Sequence, residues 1–441
     1  MSVLMPPETV RGMTILNRDA FSKSISVPTI DITSVEAPWS KILPSLKKYL
    51  LKMDNLKPVC SSDNKKIVLL NPNIVRSFND LETEALLQHD INENYFSYQN
   101  LDLKYENWKA DEILKSVLPP DQEGLTSYSR IGHIVHLNLR DHLIPFKSLI
   151  GEVLLNKCAN CKTVVNKTQN IDNTYRNFQM ELLCGEENYL VQVKEHGIQF
   201  EFDFSCVYWN PRLSSEHERI TKKLSSGDIL YDVCAGVGPF SIPAGKKKCR
   251  VLANDLNPNS YKWLIKNAEK NKINIQSFNK DARDFIKNDV KSDLKQQWIS
   301  NFSNNIHMTI NLPASAVEFL DVFNGLFQCD TELLEKPNLI MPVVHVYCFI
   351  KAEDQHADLA KKLAEKHLGF ELKDNLQEVF FVRNVSPNKE MMRVSFQLTT
   401  EILFNENSAK RKISDNLLED SVDAKRKCLN KEAKNGEAEK S

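Results

Sequence analysis

The stretch YDVCAGVGPF, Tyr231 to Phe240, constrains the fold more than any other part of the chain. An apolar run over 229–233 leads into Gly236 and Gly238 and then into helix-forming sequence. Glycine adopts backbone conformations that a Cβ forbids, so the chain can turn sharply there and pass close to a ligand. The sequence continues in kind. Residues 251–254 read as a strand ending at Asp255. Asn257 and Pro258 read as the cap and first position of a helix with Tyr261, Leu264, Ile265 and Ala268 on one face. Residues 275–278, 308–310 and 343–350 read as further strands, 314–327 and 357–368 as helices, and 380–382 and 392–398 as closing strands. Such alternation predicts an α/β protein with a doubly wound, Rossmann-like sheet over 227–403.

Two smaller α+β domains are expected ahead of it. The first, 1–128, mixes short strands such as 67–70 with polar loops and ends near Leu118-Pro119-Pro120. The second, 129–226, reads as a strand at 134–139, a helix opened by Pro145 and antiparallel strands at 180–184, 189–193 and 198–204, the last two joined at His196-Gly197. Residues 404–441 form a charged tail expected to be disordered. Its clusters Lys410-Arg411-Lys412 and Lys425-Arg426-Lys427 read as import signals or RNA-touching charge. With 57 basic and 58 acidic residues the net charge is -1, so any nucleic-acid surface must be a local patch. Arg130, His133, Arg140 and Lys147, with Arg11 and Arg18, are the candidates. No apolar run approaches the ~18 residues of a membrane span, so no membrane partner is expected. The ten cysteines are scattered, as suits reduced thiols. Cys158 and Cys161 form a lone CxxC without the second ligand pair of a structural zinc site, so no metal is expected.

The glycine turn lacks the third glycine of the dinucleotide fingerprint, because Ser241 stands there. Asp232 precedes the turn, where a carboxylate would repel a pyrophosphate and suit a cationic cofactor. Asp255 follows the second strand, where a carboxylate accepts from ribose hydroxyls. Asp281 follows the third, where it can accept the exocyclic amine of adenine. Three acids at three successive strand ends, with Gly236 and Gly238 between them, point to S-adenosylmethionine rather than to three helix caps. At the next strand end, MTINLP places Asn311 where its amide can accept from an amine or ring N–H.

VYWNPRLSSEHERI, Val207 to Ile220, precedes this block. Ser215 and Glu218 have capping-box spacing, so a helix is expected to begin there with Glu216 in its first turn. Taken with YDVCAGVGPF, NDLNP, INLPASAVEFLDVF and VRNVSPNKEM, in this order and spacing, the stretch closely resembles the eukaryotic and archaeal tRNA guanine-37 N1-methyltransferases, class I enzymes dependent on S-adenosylmethionine. PPETVRGMTILNRDAF and NTYRNFQMELLCGEENYLVQVKE belong to the same resemblance, which extends to about residue 400.

The resemblance implies cofactor contacts at His217, Asp255 with Leu256, Asp281 with Ala282, and Asn311. It places the catalytic acid-base residue at Glu216 and an arginine at Arg176. Guanine N1 carries a proton and is a poor nucleophile until a base removes it. Glu216 is that base, a role that burial of its carboxyl would favour. Arg176 stabilises charge developing at O6, Asn311 orients the base, and Tyr208 packs against the extruded nucleobase. The resemblance further implies a tRNA gripped at the anticodon stem-loop and the outer body, and a cytoplasmic location with nuclear and mitochondrial pools; a monomer is expected because the domains supply both RNA grip and active site. The aminocarboxypropyl transferase of the wybutosine pathway resembles the same family; the intact NLP stretch with Glu216 and Arg176 favours methyl transfer over it. A non-catalytic tRNA-binding module is the other alternative, and it sits poorly with the presence of Gly236, Asp255 and Glu216.

Overall fold

The structure is a computed structural model that describes residues 3–62, 65–121, 124–125, 128–171, 178–336, 339–352 and 355–405. Arg176 and the basic clusters of the tail lie outside the described residues. The chain divides into two compact units, Met1–Ile171 with Phe178–Val191, and Gln192 onward.

The first unit holds two four-stranded sheets. One is ordered β2-β3-β1-β4, from β1 (Lys23–Asp31), β2 (Val59–Ser62), β3 (Lys65–Leu69) and β4 (Phe96–Leu103). The other is ordered β5-β6-β7-β8, from β5 (Ser129–Ile131), β6 (Ile134–Leu137), β7 (Thr163–Ile171) and β8 (Phe178–Gly185). One apolar core joins them. Trp108, Ile113 and Val117, ahead of the two prolines, pack in the same cluster as Val135, Leu149, Ile150, Val153 and Val164 beyond them. The Pro-Pro break near 119 therefore interrupts the chain and not the core. The candidate RNA-gripping cations of this unit are engaged within the protein. Arg11 donates to the carbonyls of Lys115 and Leu118 at the end of helix Ala110–Val117. Arg18 lies 3.8 Å from Glu152 and over the Tyr105 ring. Lys147 pairs with Glu181, Arg130 donates to the Ala159 carbonyl, and the His133 ring bonds the Asn188 carbonyl.

The boundary at Gln192 falls within β9 (Leu190–Glu195), which forms a hairpin with β10 (Ile198–Asp203), turned at His196 and Gly197, both with positive φ. The main sheet of the second unit has seven strands: β11 (Ile229–Asp232), β12 (Arg250–Asn254), β13 (Gln276–Phe278), β14 (Ile306–Ile310), β15 (Val343–Lys351), β16 (Leu376–Ser386) and β17 (Lys389–Gln397). The order is β13-β12-β11-β14-β15-β17-β16, parallel from β13 to β15 and antiparallel over the last two pairings. The chain steps outward from β11 on one side and returns beside it as β14 on the other. In open α/β sheets, ligands bind at such a reversal, outside the carboxyl ends of the strands.

Side chains alternate between two cores, as the two-residue period of a strand requires. Ile229, Tyr231 and Leu252 enter one cluster with Phe285, Leu294, Phe323 and Leu368; Leu230, Val251 and Ala253 enter the other with Ile220, Ala244 and Leu264. Both faces are thus roofed by helices, which gives the expected doubly wound architecture. The closing strands expected at 380–382 and 392–398 are β16 and β17, of eleven and nine residues, because they form a hairpin whose second strand pairs along the whole of β15. The helix expected over 314–327 is a 3-10 helix, Ala316–Phe323.

Gly236 and Gly238 have φ of +57° and +99°. They serve different ends. A Cβ on Gly236 would meet nothing within 4 Å, whereas one on Gly238 would lie 2.8–2.9 Å from Ile242 and Leu264. Gly238 therefore seats the following helix on the sheet. Gly238→Ala is expected to lower stability by about 2–4 kcal/mol, from backbone strain plus overpacking; a denaturant midpoint shift at constant slope measures it.

Candidate active site

The four candidate strand-end residues Asp232, Asp255, Asp281 and Asn311 fall at the carboxyl ends of β11, β12, β13 and β14, neighbours around the reversal point. Asp232 is fully buried, with Ser241 Oγ donating to Oδ2 at 2.6 Å and Thr309 Oγ1 to Oδ1 at 2.8 Å. The serine that breaks the dinucleotide fingerprint thus holds this acid in place. Asp255 accepts from the N–H groups of Gly236 (2.8 Å) and Asn257 (2.9 Å), tying the glycine turn to the second loop. Asn254, absent from the sequence-based candidates, completes the arrangement. Its side chain donates to the carbonyls of Val233 and Lys280 and accepts from the Lys280 N–H, so one amide clamps the loops after three strands.

Leu256 is 47% exposed beside Asp255, an apolar surface left in solvent. Asp281 is exposed and caps the turn Ala282–Asp284 through the Arg283 N–H. Ala282 is buried in the core beside it. Asn311 Oδ1 is buried and takes no hydrogen bond among the described residues. A buried acceptor of that kind is costly unless something donates to it.

The stretch Val207–Ile220 lies alongside. Trp209 packs on Phe200 and Phe202 of β10 and anchors it, and Asn257 Nδ2 donates to the Cys206 carbonyl just upstream. The expected Ser215/Glu218 capping box does not form. Asn210 instead caps a 3-10 turn, Pro211–Leu213, that runs directly into helix Ser214–Lys223, so Ser215 is already helical and Glu218 pairs with Lys222. Tyr208 is 47% exposed, its hydroxyl 3.3 Å from Asn210 Nδ2. His217 is buried, bonded to Glu195 at 2.7 Å and set edge-on to Phe240 of the glycine turn at 4.9 Å.

Glu216 is 1% exposed. The expectation of a buried carboxylate holds, but it is not alone. Oε1 accepts from Tyr347 Oη at 2.9 Å and from Arg393 Nη1; Oε2 accepts from Arg219 Nη1. Arg393 is fully buried, and its Nη2 donates to Glu378 at 2.6 Å. Phe380 lies between the two guanidinium groups, 4.0 Å from Arg219 and 5.0 Å from Arg393. Tyr347 and Arg393 are cross-strand partners of β15 and β17, so they share a face of the sheet under the helix that carries Glu216. Tyr347 and Arg393 are missing from the sequence-based candidates. The signal was there for Arg393, a cation in the apolar run MMRVSF, since unpaired charges are rarely buried.

The TRM5/TYW2 methyltransferase domain family matches residues 191–322, and the TYW2 N-terminal domain family matches 110–188. The chain is 55% identical over 406 residues to the tRNA (guanine(37)-N(1))-methyltransferase of Drosophila melanogaster, covering 91% of this chain and 88% of that one. It is 45% identical over 416 residues to the enzyme of the same name from Mus musculus, covering 91% and 81%. The chain belongs to the tRNA (guanine(37)-N(1))-methyltransferase family. The fold of a solved complex of aTrm5 and tRNALeu is shared at a TM-score of 0.55, with 22% identity, covering 85% of this chain and all of that one.

The methyltransferase family uses S-adenosylmethionine, and the residues present fit it. Open space beside Gly236, the carboxylate of Asp255 and the unsatisfied oxygen of Asn311 offer a close backbone approach and two acceptors. Burial pushes the carboxyls of Asp232 and Asp255 up to about 6. Hydrogen bonds from Ser241 and Thr309 to the first, and from Asn257 and Gly236 to the second, pull the other way. Between their ordinary value of 3.8 and about 6, the folded chain holds more protons than the unfolded chain. These two groups therefore favour folding at low pH, and that contribution fades as pH rises through 6. Hydroxyl donors and a sulfonium favour the ionised acids. Cofactor binding is accordingly expected to release protons near pH 6 and to weaken by roughly tenfold per pH unit per group below it. Calorimetry in buffers of different ionisation enthalpy measures both.

Proposed function

We propose that this methyltransferase transfers the methyl group of S-adenosylmethionine to N1 of guanosine 37 in tRNA, with Glu216 as the base. The observation that carries the assignment of the base is the buried Glu216 carboxylate, bonded on the inner side by Tyr347 and Arg393 and on the outer side by the 37% exposed Arg219. S-adenosylmethionine, when bound, supplies an electrophilic methyl group on a sulfonium, whose sulfur keeps the bonding pair and leaves as a neutral thioether when the methyl is transferred.

A carboxylate offers about four acceptor positions. Three are taken within the chain, both on Oε1 and one on Oε2. Oε2, on the side of the partly exposed Arg219, keeps one for the N1 proton of guanine. Taking that proton leaves the electron pair on N1 free to attack carbon. The inner bonds hold the carboxylate still, so proton and methyl are handled in one geometry. Asn311 accepts from an N–H of the bound partners and fixes their orientation. Tyr208, half-exposed at the entrance, offers a ring for the extruded base to rest against. Arg176 is the donor that the resemblance assigns to O6, where negative charge gathers as N1 loses its proton. The 45–55% identical relatives named for this activity support methyl transfer over aminocarboxypropyl transfer.

Glu216→Gln is expected to lower single-turnover methylation of unmodified tRNA by about 10²–10⁴-fold, while equilibrium cofactor binding stays near that of the parent protein. Full turnover in this variant would remove Glu216 as the base. Arg176→Ala is expected to reduce the rate by about 10²–10³-fold, read with the same labelled-cofactor assay and a transcript carrying adenosine at position 37 as control.

A further inference from the structure

A polar stripe crosses the otherwise apolar face of the sheet that carries Tyr347. His345 and Tyr347 on β15 face Ser395 and Arg393 on β17 as cross-strand partners, and His307 on β14 adjoins them. His307 is 7% exposed, His345 1%, Ser395 and Arg393 not at all. The contacts form a chain. Arg393 Nε lies 3.1 Å from Ser395 Oγ, Ser395 Oγ 2.8 Å from His345 Nδ1, and His345 Nε2 3.1 Å from His307 Nδ1. The two imidazoles are stacked, 9° from parallel.

A guanidinium only donates. Ser395 Oγ must therefore accept from Arg393. If Ser395 turns its hydrogen to His345 Nδ1, then His345 carries its proton on Nε2 and donates to His307, and His307 Nε2 is the one polar atom of this four-residue relay left without a partner among the described residues. The opposite direction would leave the Ser395 hydrogen unpaired as well. Each buried unpaired group costs about 1–3 kcal/mol, so the first direction is the one the packing selects. Burial holds His345 well below its ordinary value and His307 below it, and both rings are neutral as this assignment requires. The bond to Nε fixes the plane of the guanidinium, and that plane aims Nη1 at Glu216 and Nη2 at Glu378.

We infer that Ser395 and His345 are positioning residues for methyl transfer, acting on Glu216 through Arg393. The inference rests on Glu216 being the base. Ser395→Ala is expected to slow single-turnover methylation by about 10–100-fold through a misaimed carboxylate, with cofactor Kd and tRNA KM within about twofold of the parent. Ser395→Thr, which keeps the hydroxyl, is expected to restore most of the rate. Combined with Glu216→Gln, Ser395→Ala is expected to add little, because both act on one group. If Ser395→Ala fails to fold, His345→Phe carries the same comparison; a rate loss at unchanged Kd and KM supports the inference and a parental rate overturns it. The inference is also overturned by a parental rate in Ser395→Ala, or by losses confined to cofactor affinity and thermal midpoint. Activity retained in Glu216→Gln would instead bring down the assignment of the base.

Discussion

The ion pair between Arg393 and Glu216 sets the terms for this half of the molecule. Neither group touches solvent to any extent. Removing one partner from such a pair costs about 3–5 kcal/mol, because the other is left charged in a poorly polarisable interior. Every remaining donor and acceptor must then be met. Glu378, Ser395, Tyr347 and Arg219 meet them, drawn from three strands and the helix above. The β16–β17 hairpin is held to the rest of the sheet at the place where the Glu216 carboxylate stands. With Glu216 as the proposed base, stability and chemistry would use the same contacts.

The cofactor side works by a different economy of charge. Its acids lie at strand ends, where backbone N–H groups and short hydroxyls are within reach, and none of them has a salt bridge among the described residues. Asp232 takes two hydroxyls and Asp255 two backbone N–H groups. Burial without a countercharge raises their pKa, and a cationic ligand would supply the charge they lack. Glu216, the proposed base, is instead paired with two arginines, Arg219 and Arg393. Two carboxylate environments within one sheet thus separate a group that awaits a cation from a group that already has its cations.

Much of this was legible in the residues. The glycine turn, the alternating strands and helices and the four strand-end polar residues were readable because strand and helix periods are local, and because a parallel sheet places successive strand ends on one edge. Other parts were not. The capping-box reading of Ser215 and Glu218 failed because Asn210 starts a 3-10 turn earlier and carries the helix past that point. The Pro-Pro break at 119 did not separate two cores, since apolar residues on both sides of it find one another at long range. Lys147 and Arg18 read as free cations and are paired, with partners 34 and 134 residues away.

By itself the sequence determined the order of elements and the cofactor edge, since each depends on spacing along the chain and on side-chain chemistry; Glu216 stood out only through the resemblance of VYWNPRLSSEHERI to a known family. Only the tertiary structure decided what surrounds that carboxylate. Arg393 lies 177 residues from Glu216 and Tyr347 lies 131. Sheet order and antiparallel register bring them together, and those are settled by packing between strands that no local pattern encodes.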